Sequence, residues 1–208
     1  MREEAFDGGA FLVRCGEREH DFRANGVRVF TPQRRHLGAI NACLIDREAQ
    51  SFLGYGDDRM TSLVSSEPWW RRFDRRPTQY HQNGIIFGIE ADQHEGVVGG
   101  IFIQIDSENV PNIGVAVRQE CRSSGVGTAA IGLAVHFLVH HFGQPRLTAT
   151  TLSTNVRAIG LARSVGGQIV EVDVPRVLDD GRAVSELRHE LHSEAAVRRC
   201  DHSNLLAV

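Results

Sequence analysis

The chain has 208 residues, is 41% hydrophobic and 24% charged, and carries a formal net charge of −3. That is enough for one domain with a sizeable core plus extensions, and the near-neutral charge leaves no electrostatic footprint for nucleic acid. No apolar run reaches the roughly 18 residues of a membrane span, and the four cysteines form no Cys-x-x-Cys pair, so neither a zinc site nor a disulfide framework is indicated.

The N-terminus, Met1-Arg-Glu-Glu, lacks the apolar core of a secretion signal. Reduced thiols and a cytoplasmic location are therefore the expectation. Residues 1–26 are charged and turn-rich and read as an extension, either an added strand or an arm. Residues 27–30 read as the first strand, stopped by Thr31-Pro32. From Arg35 the pattern turns helical, with Leu37, Ile40, Leu44 and Ile45 on one face, and it ends before Gly54. In Ser66-Glu-Pro-Trp-Trp, Ser66 reads as an N-cap with Pro68 in the first turn. Trp69 and Trp70 with Arg71, Arg72, Arg75 and Arg76 read as a packed or substrate-covering helix with a solvated basic face.

A meander follows. Residues 84–91 and 97–106 are strand-like around a turn at 92–96, and a second turn leads into a strand at 113–117. Such short connections imply antiparallel pairing. After a polar turn at 118–121 comes a small-residue loop, 122–127, opening into a helix at 128–142 that Gly143 and Pro145 end. His136 and His140 share the i, i+4 spacing of a zinc helix, but the intervening Glu is missing, so they read as surface histidines and no metal is expected. Residues 146–151 form a strand. A helix links it to 113–117, so the two strands are expected to be parallel, with a right-handed crossover. A helix from Asn155 to about Val165 closes at Gly166-Gly167. Residues 168–174 and 183–192 read as a final hairpin, and 193–208 as a polar tail.

The loop at 122–127 carries the chemistry. Gly125 and Gly127 let the backbone bend and approach a ligand closely. The first N–H groups of the following helix lack intrahelical partners and lie at its positive end, where phosphate is favoured. Arg122, Ser123 and Ser124 add a cation and two hydroxyls. The dinucleotide fingerprint fits poorly, because no strand directly precedes Gly125 and residues 146–151 hold no carboxylate. The Walker pattern fails because the chain has no lysine.

What remains, Arg-x-x-Gly-x-Gly after a strand, resembles the acetyl-CoA pyrophosphate signature of the GNAT N-acetyltransferases. Asn155-x-x-Ala158-x-x-Leu161 with Gly166-Gly167 is similar to a second motif of that family. The order of elements over 27–192 matches as well. Residues 37–54 and Asn112-Ile-Gly resemble the ribosomal-protein N-terminal acetyltransferase group. The resemblance implies an α/β GNAT fold, with a mixed central sheet, an antiparallel meander, splayed parallel strands and flanking helices. The domain would span 27–192, followed by the tail 193–208.

The resemblance further implies that the pantetheine arm of acetyl-CoA lies between the splayed strands, against backbone groups of Val115 and Val117. Arg122, Ser123, Ser124, Gly125, Val126, Gly127 and Thr128 would hold the pyrophosphate, and Asn155 the pantetheine or thioester end. The reaction implied is direct acetyl transfer to a primary amine, a small molecule or a peptide α-amine, by a monomer or homodimer without nucleic-acid or membrane partners. The family often has a basic Glu where this chain has Asn112, and a Tyr where it has Ala162. That departure motivates the alternative of a catalytically weak acyl-CoA-binding sensor or interaction module.

Glu90 is an obvious substitute base, but hairpin counting puts it level with about Val117, roughly 17 Å along the strands from Asn112. Glu108, in the turn before the central strand, is closer, acting through a water that Asn112 orients. Asn112 and Glu108 are therefore the expected catalytic residues, with Ser153 and His81 as weaker candidates.

Overall fold

The computed structural model describes residues 10, 11, 15, 18–53, 79–81, 84–106, 108–143, 146–173, 175–178, 181–192 and 206–207. The Trp69–Trp70 segment, with its arginines and the Ser66 cap, lies outside them. The first described strands are β1 (Asp21–Ala24) and β2 (Val27–Phe30), followed by the helices α1 (Arg34–Ile45) and α2 (Arg47–Leu53). Next come β3 (Gln79–His81), β4 (Gly84–Ala91), β5 (Val97–Ile105) and β6 (Pro111–Val117), then a 3-10 turn at Gln119–Cys121 and the helix α3 (Val126–Phe142). The chain continues with β7 (Arg146–Leu152), α4 (Val156–Ser164), β8 (Gln168–Val172), the two-residue strands β9 (Arg176–Val177) and β10 (Ala183–Val184), β11 (Glu186–His192) and β12 (Leu206–Ala207).

One sheet runs in the order β12-β1-β2-β4-β5-β6-β7-β11-β8, with β3 on β4. All its pairings are antiparallel except β6 with β7. The α/β fold expected from the sequence is present, and the sheet reaches beyond 27–192. β1, inside the expected extension, pairs along β2, and Leu206 and Ala207, in the expected tail, pair with β1. The final hairpin is also more elaborate than its pattern implied. β8 and β11 do pair, with a register shift at Arg188/His189, while the segment between them folds back as β9 and β10.

Each face of the sheet buries its own cluster. Phe30, Leu37, Ile40, Leu44, Ile86 and Val97 pack α1 on one side. On the other side, Ala130, Ile131, Ala134, Val135, Phe137 and Leu138 of α3 join Ile85, Phe87, Ile101, Ile113 and Leu147. Partly buried Leu161 of α4 packs on that same side. Alternation along β6 then puts Ile113, Val115 and Val117 on the α3 face and Asn112, Gly114 and Ala116 on the α1 face.

The helix read from Arg35 as one element is two. Asp46 is extended at φ −66°, ψ 146°, and its Oδ1 accepts from Ala49 N–H at 3.0 Å. An acceptor that caps a new helix start breaks the old one. The break turns Asp46 and Glu48 toward the end of β6, which matters below.

Candidate active site

β6 and β7 run parallel but share a single registered pair, Asn112 with Thr148. Beyond it, toward Val117 and Leu152, no further rung forms, whereas β6 keeps an unbroken ladder with β5 from Pro111 to Val117. The strands therefore part, and the β7-facing backbone groups of Val115 and Val117 lose their sheet partners. A side chain stitches the closed end of the cleft. Asn112 Nδ2 donates to Thr148 Oγ1 at 3.2 Å and Thr150 Oγ1 at 3.0 Å. Thr148 in turn donates to the Pro111 carbonyl at 3.4 Å, which fixes the amide orientation. Asn112 Oδ1 has no partner among the described residues and remains as an acceptor.

The open end leads to the loop 122–127. Ser123 and Gly125 both take left-handed backbone, φ +63° and +89°, and Gly125 is the N-cap of α3. Ala129 is the first residue whose N–H reaches back into the helix start, to Gly125 O at 3.0 Å. The N–H groups of Val126, Gly127 and Thr128 precede it and have no helical acceptor. Left-handed residues beside such free N–H groups make an anion-binding concavity. Ser124 Oγ is spent on the loop itself, donating to Cys121 O at 2.6 Å. A cavity of about 620 Å³ adjoins this turn, lined by Ser124, Gly125, Thr128, Ala129 and the turn residues Asn25 and Gln93.

Arg122 is more engaged than its place in the motif implied. Its Nε donates to Val117 O at 3.1 Å, and its two terminal nitrogens pair with Asp46 and Glu48. These carboxylates raise its pKa against the opposing effect of burial, the largest influence on it. Glu48 also receives Arg157, of the first turn of α4, at 2.8 Å. The sequence reading missed this cluster, because the only signal for it was the capping Asp46 inside an apparently continuous helix. Asn155, for its part, caps α4, its Oδ1 accepting from Ala158 N–H at 3.0 Å. That bond explains the Asn-x-x-Ala spacing locally, and it leaves the Asn155 amide N–H groups for a ligand.

The carboxylate candidates separate. Glu90 lies one step past Ile89, which is level with Gly99 and so with Val117. It pairs with Arg28 at 2.8 Å. It is therefore at the open end, as hairpin counting expected. Glu108 lies near the closed end, but its oxygens face Arg188 at 2.9 Å and Arg146 at 3.4 Å. Exposed Ser153 accepts from Ser185 N–H at 3.2 Å. β3 ends at His81, whose side chain is outside the described residues. Ala162 is buried, and its carbonyl takes Gly167 N–H at 2.8 Å.

Two further groups bear on the chemistry. His189 is 0% exposed, its Nε2 sits 2.9 Å from Thr151 Oγ1, and its Nδ1 has no partner among the described residues. Burial first, and the Arg163 charge second, push its pKa down, which favours the neutral form. Cys15, Cys43 and Cys121 are buried, and burial pushes the Cys43 thiol up to about 12. None of these thiols is placed as a nucleophile. His136 and His140 lie with ring centroids 4.1 Å apart, and no group of three or more His, Cys, Asp or Glu among the described residues is placed to hold a metal ion.

Residues 27–168 match the model of the acetyltransferase (GNAT) domain. A spermidine N-acetyltransferase from Vibrio cholerae, solved with CoA and spermine, is 14% identical, with a TM-score of 0.68 over 83% of this chain and 98% of that one. A GCN5-related N-acetyltransferase from Brucella melitensis is 15% identical, with a TM-score of 0.66 over 87% and 82%. A GNAT-family acetyltransferase from Bacillus anthracis is 11% identical, with a TM-score of 0.64 over 84% and 99%. At these identities the likeness is one of fold. No curated protein matches the chain.

Proposed function

The chain belongs to the GNAT acetyltransferase family, and on that footing we propose that it moves an acetyl group from acetyl-CoA to a primary amine of low pKa, a peptide α-amine or a small molecule. The observation that carries this is the single β6–β7 rung at Asn112–Thr148, which opens a cleft leading straight to the free N–H groups of α3. The residues fit the cosubstrate. A strand edge suits amide groups, and a left-handed glycine with a helix start suits a diphosphate. Acetyl-CoA supplies an activated acetyl carbon as a thioester.

The remaining steps fall to the protein. Backbone of Val115 and Val117 aligns the pantetheine arm, and Val126, Gly127 and Thr128 N–H groups receive the pyrophosphate, with Ser123, Ser124 and Gly125 shaping the turn. Arg122 contributes by holding that turn to β6 and α1. Asn155 offers its amide N–H to the arm. A β6 backbone N–H polarises the thioester oxygen as the amine nitrogen attacks. Asn112 Oδ1 accepts an N–H of the incoming amine and aims its lone pair. An amide cannot take up a proton near neutral pH, so the amine must arrive neutral. As the C–N bond forms the thioester C–S bond breaks, and the one proton the nitrogen then sheds passes through solvent to the departing CoA thiolate. A peptide α-amine, pKa near 7.7–8.0, is roughly one-quarter to two-fifths neutral at pH 7.5, against about one part in a thousand for a lysine-like amine near 10.4. The likeness of residues 37–54 and Asn112-Ile-Gly to the ribosomal-protein N-terminal group favours the α-amine.

Thiol release from acetyl-CoA across an amine panel, from pH 6.5 to 9.5, tests the reading. The expected result is turnover that prefers low-pKa amines, with kcat/KM rising toward each substrate's own pKa. A preference for high-pKa amines at pH 7 would refute it. The absence of a Glu at 112 and a Tyr at 162 favours a second reading, an acyl-CoA-binding module without turnover. CoA binding with no thiol release across the panel would select that one.

A further inference from the structure

Two guanidiniums from different elements converge on one carboxylate at the mouth of the cleft. Arg122, from the loop, meets Glu48 Oε2, and Arg157, from the first turn of α4, meets Glu48 Oε1 at 2.8 Å. Asp46 holds the other terminal nitrogen of Arg122. The Arg122 side chain is only 14% exposed, while that of Arg157 is 55% exposed and open to solvent. β6 leads into the Arg122 loop and β7 leads into α4. Glu48, on α2, therefore ties together the elements that flank the gap. Two planar guanidiniums facing a pair of oxygens on one group is the arrangement that recognises a phosphoryl group as well as a carboxylate. The free N–H groups of α3 lie on the same loop as Arg122.

We propose that Arg122 and Arg157 form a phosphate site for CoA in which Glu48, assisted by Asp46, competes with the ligand. The inference rests on the acetyl-CoA reading. A phosphate that engages Arg157 takes the place of Glu48 Oε1, and the carboxylate turns to solvent, where at 32% exposure it already has access. Arg122 stays anchored through Val117 O and Asp46. Glu48 thus sets cofactor affinity from outside the cradle, by charge repulsion and by occupying the cation.

Calorimetric titration of CoA into the wild type, Glu48→Gln and Arg157→Gln tests this. Removing one competing charge should tighten CoA about three- to tenfold, and removing the exposed cation should weaken it by a similar factor. In the double variant the gain from Glu48→Gln should shrink, because the contested cation is gone. Dephospho-CoA separates the sources of phosphate. If Arg157→Gln weakens CoA but not dephospho-CoA, the 3′-phosphate is the group bound, and if it weakens both, the diphosphate is. Glu48→Gln that binds CoA no more tightly than wild type, or Arg157→Gln that binds it equally well, would overturn the proposal and leave the cluster a structural tie. If CoA fails to bind wild type at all, the acetyl-CoA reading fails. Inorganic pyrophosphate then tests the two-arginine site alone, with tighter binding to Glu48→Gln sustaining it and unchanged binding refuting it.

Discussion

Gly125→Ala is the sharpest perturbation of the proposed pyrophosphate turn, because its cost is confined to the backbone. Gly125 sits at φ +89°, ψ −13°, and nothing lies within 4 Å of where a Cβ would be. An L-residue held in left-handed backbone costs about 1–2 kcal/mol. If the turn keeps its shape, the protein loses that stability, roughly a 2–8 °C fall in Tm for a chain of this size. If the turn relaxes to negative φ, the N–H groups of α3 swing away and CoA affinity falls instead, about five- to thirtyfold for the same energy. Gly127→Ala is the internal contrast. It lies inside α3, and its Cβ meets only Leu161 Cδ1 at 3.1 Å, the end of a flexible side chain. Its cost to stability should stay under about 1 kcal/mol. Thermal melts and calorimetry on both variants give the comparison. Gly125→Ala with wild-type Tm and wild-type CoA affinity, or Gly127→Ala the more destabilising of the two in the melts, would refute the assignment of the turn.

CoA at 100 times its Kd should add about 2.7 kcal/mol to stability, a rise of roughly 5–11 °C in Tm. A rise with NADH and none with CoA would show the cofactor to be wrong. Glu108→Gln should lower kcat/KM less than tenfold, well below the roughly 10²–10⁴-fold of a general base, since its oxygens already face Arg146 and Arg188. A thousandfold loss with CoA affinity intact would make Glu108 the base. His189, with its pKa lowered, favours the neutral form in the folded protein. Its contribution is therefore present above the unfolded value near 6.5 and is lost as pH falls from there toward the folded value. Tm should drop less between pH 7.5 and 5.5 in His189→Gln than in wild type, and an equal drop would contradict this.

The order of elements was legible because it is written in local signals. Nearly continuous apolar runs bounded by turns marked β4 and β5, the apolar stripe of α3 marked its buried face, and Gly143, left-handed at φ +63°, closes that helix where the glycine predicted. The meander register was legible too, since short turns fix it, and Glu90 was placed correctly at the open end. What escaped was set by long-range partners. The break at Asp46 was hidden because the apolar pattern continues through it, and its consequence, a pair of carboxylates against Arg122, joins positions 76 and 74 residues apart. The pairing of Leu206 and Ala207 with β1 is likewise invisible in a two-residue apolar run. His189 reads on sequence as one polar residue in an alternating strand. Only its tertiary surroundings, with Thr151 of β7 at 2.9 Å from Nε2, make it a buried imidazole.

The proposed reaction without a strong base and the opening of the cleft trace to one residue. Asn112 is the last point at which β6 and β7 remain in register, and its amide supplies both donors of the stitch, to Thr148 and to Thr150. A carboxylate at this position is acceptor-only when ionised. Thr148 already donates to Pro111 O, so it has no proton left to offer such a carboxylate. A Glu or Asp here would therefore lose one bond of the stitch and put a negative charge against a committed donor. A residue that pins the strands through N–H groups cannot also be the residue that takes the amine's proton. The chain thus has a defined point of strand separation and a carbonyl acceptor at the position where the family resemblance places a basic Glu. In the proposed reaction, that exchange shifts the burden of deprotonation onto the substrate and narrows the substrates to amines that are already neutral.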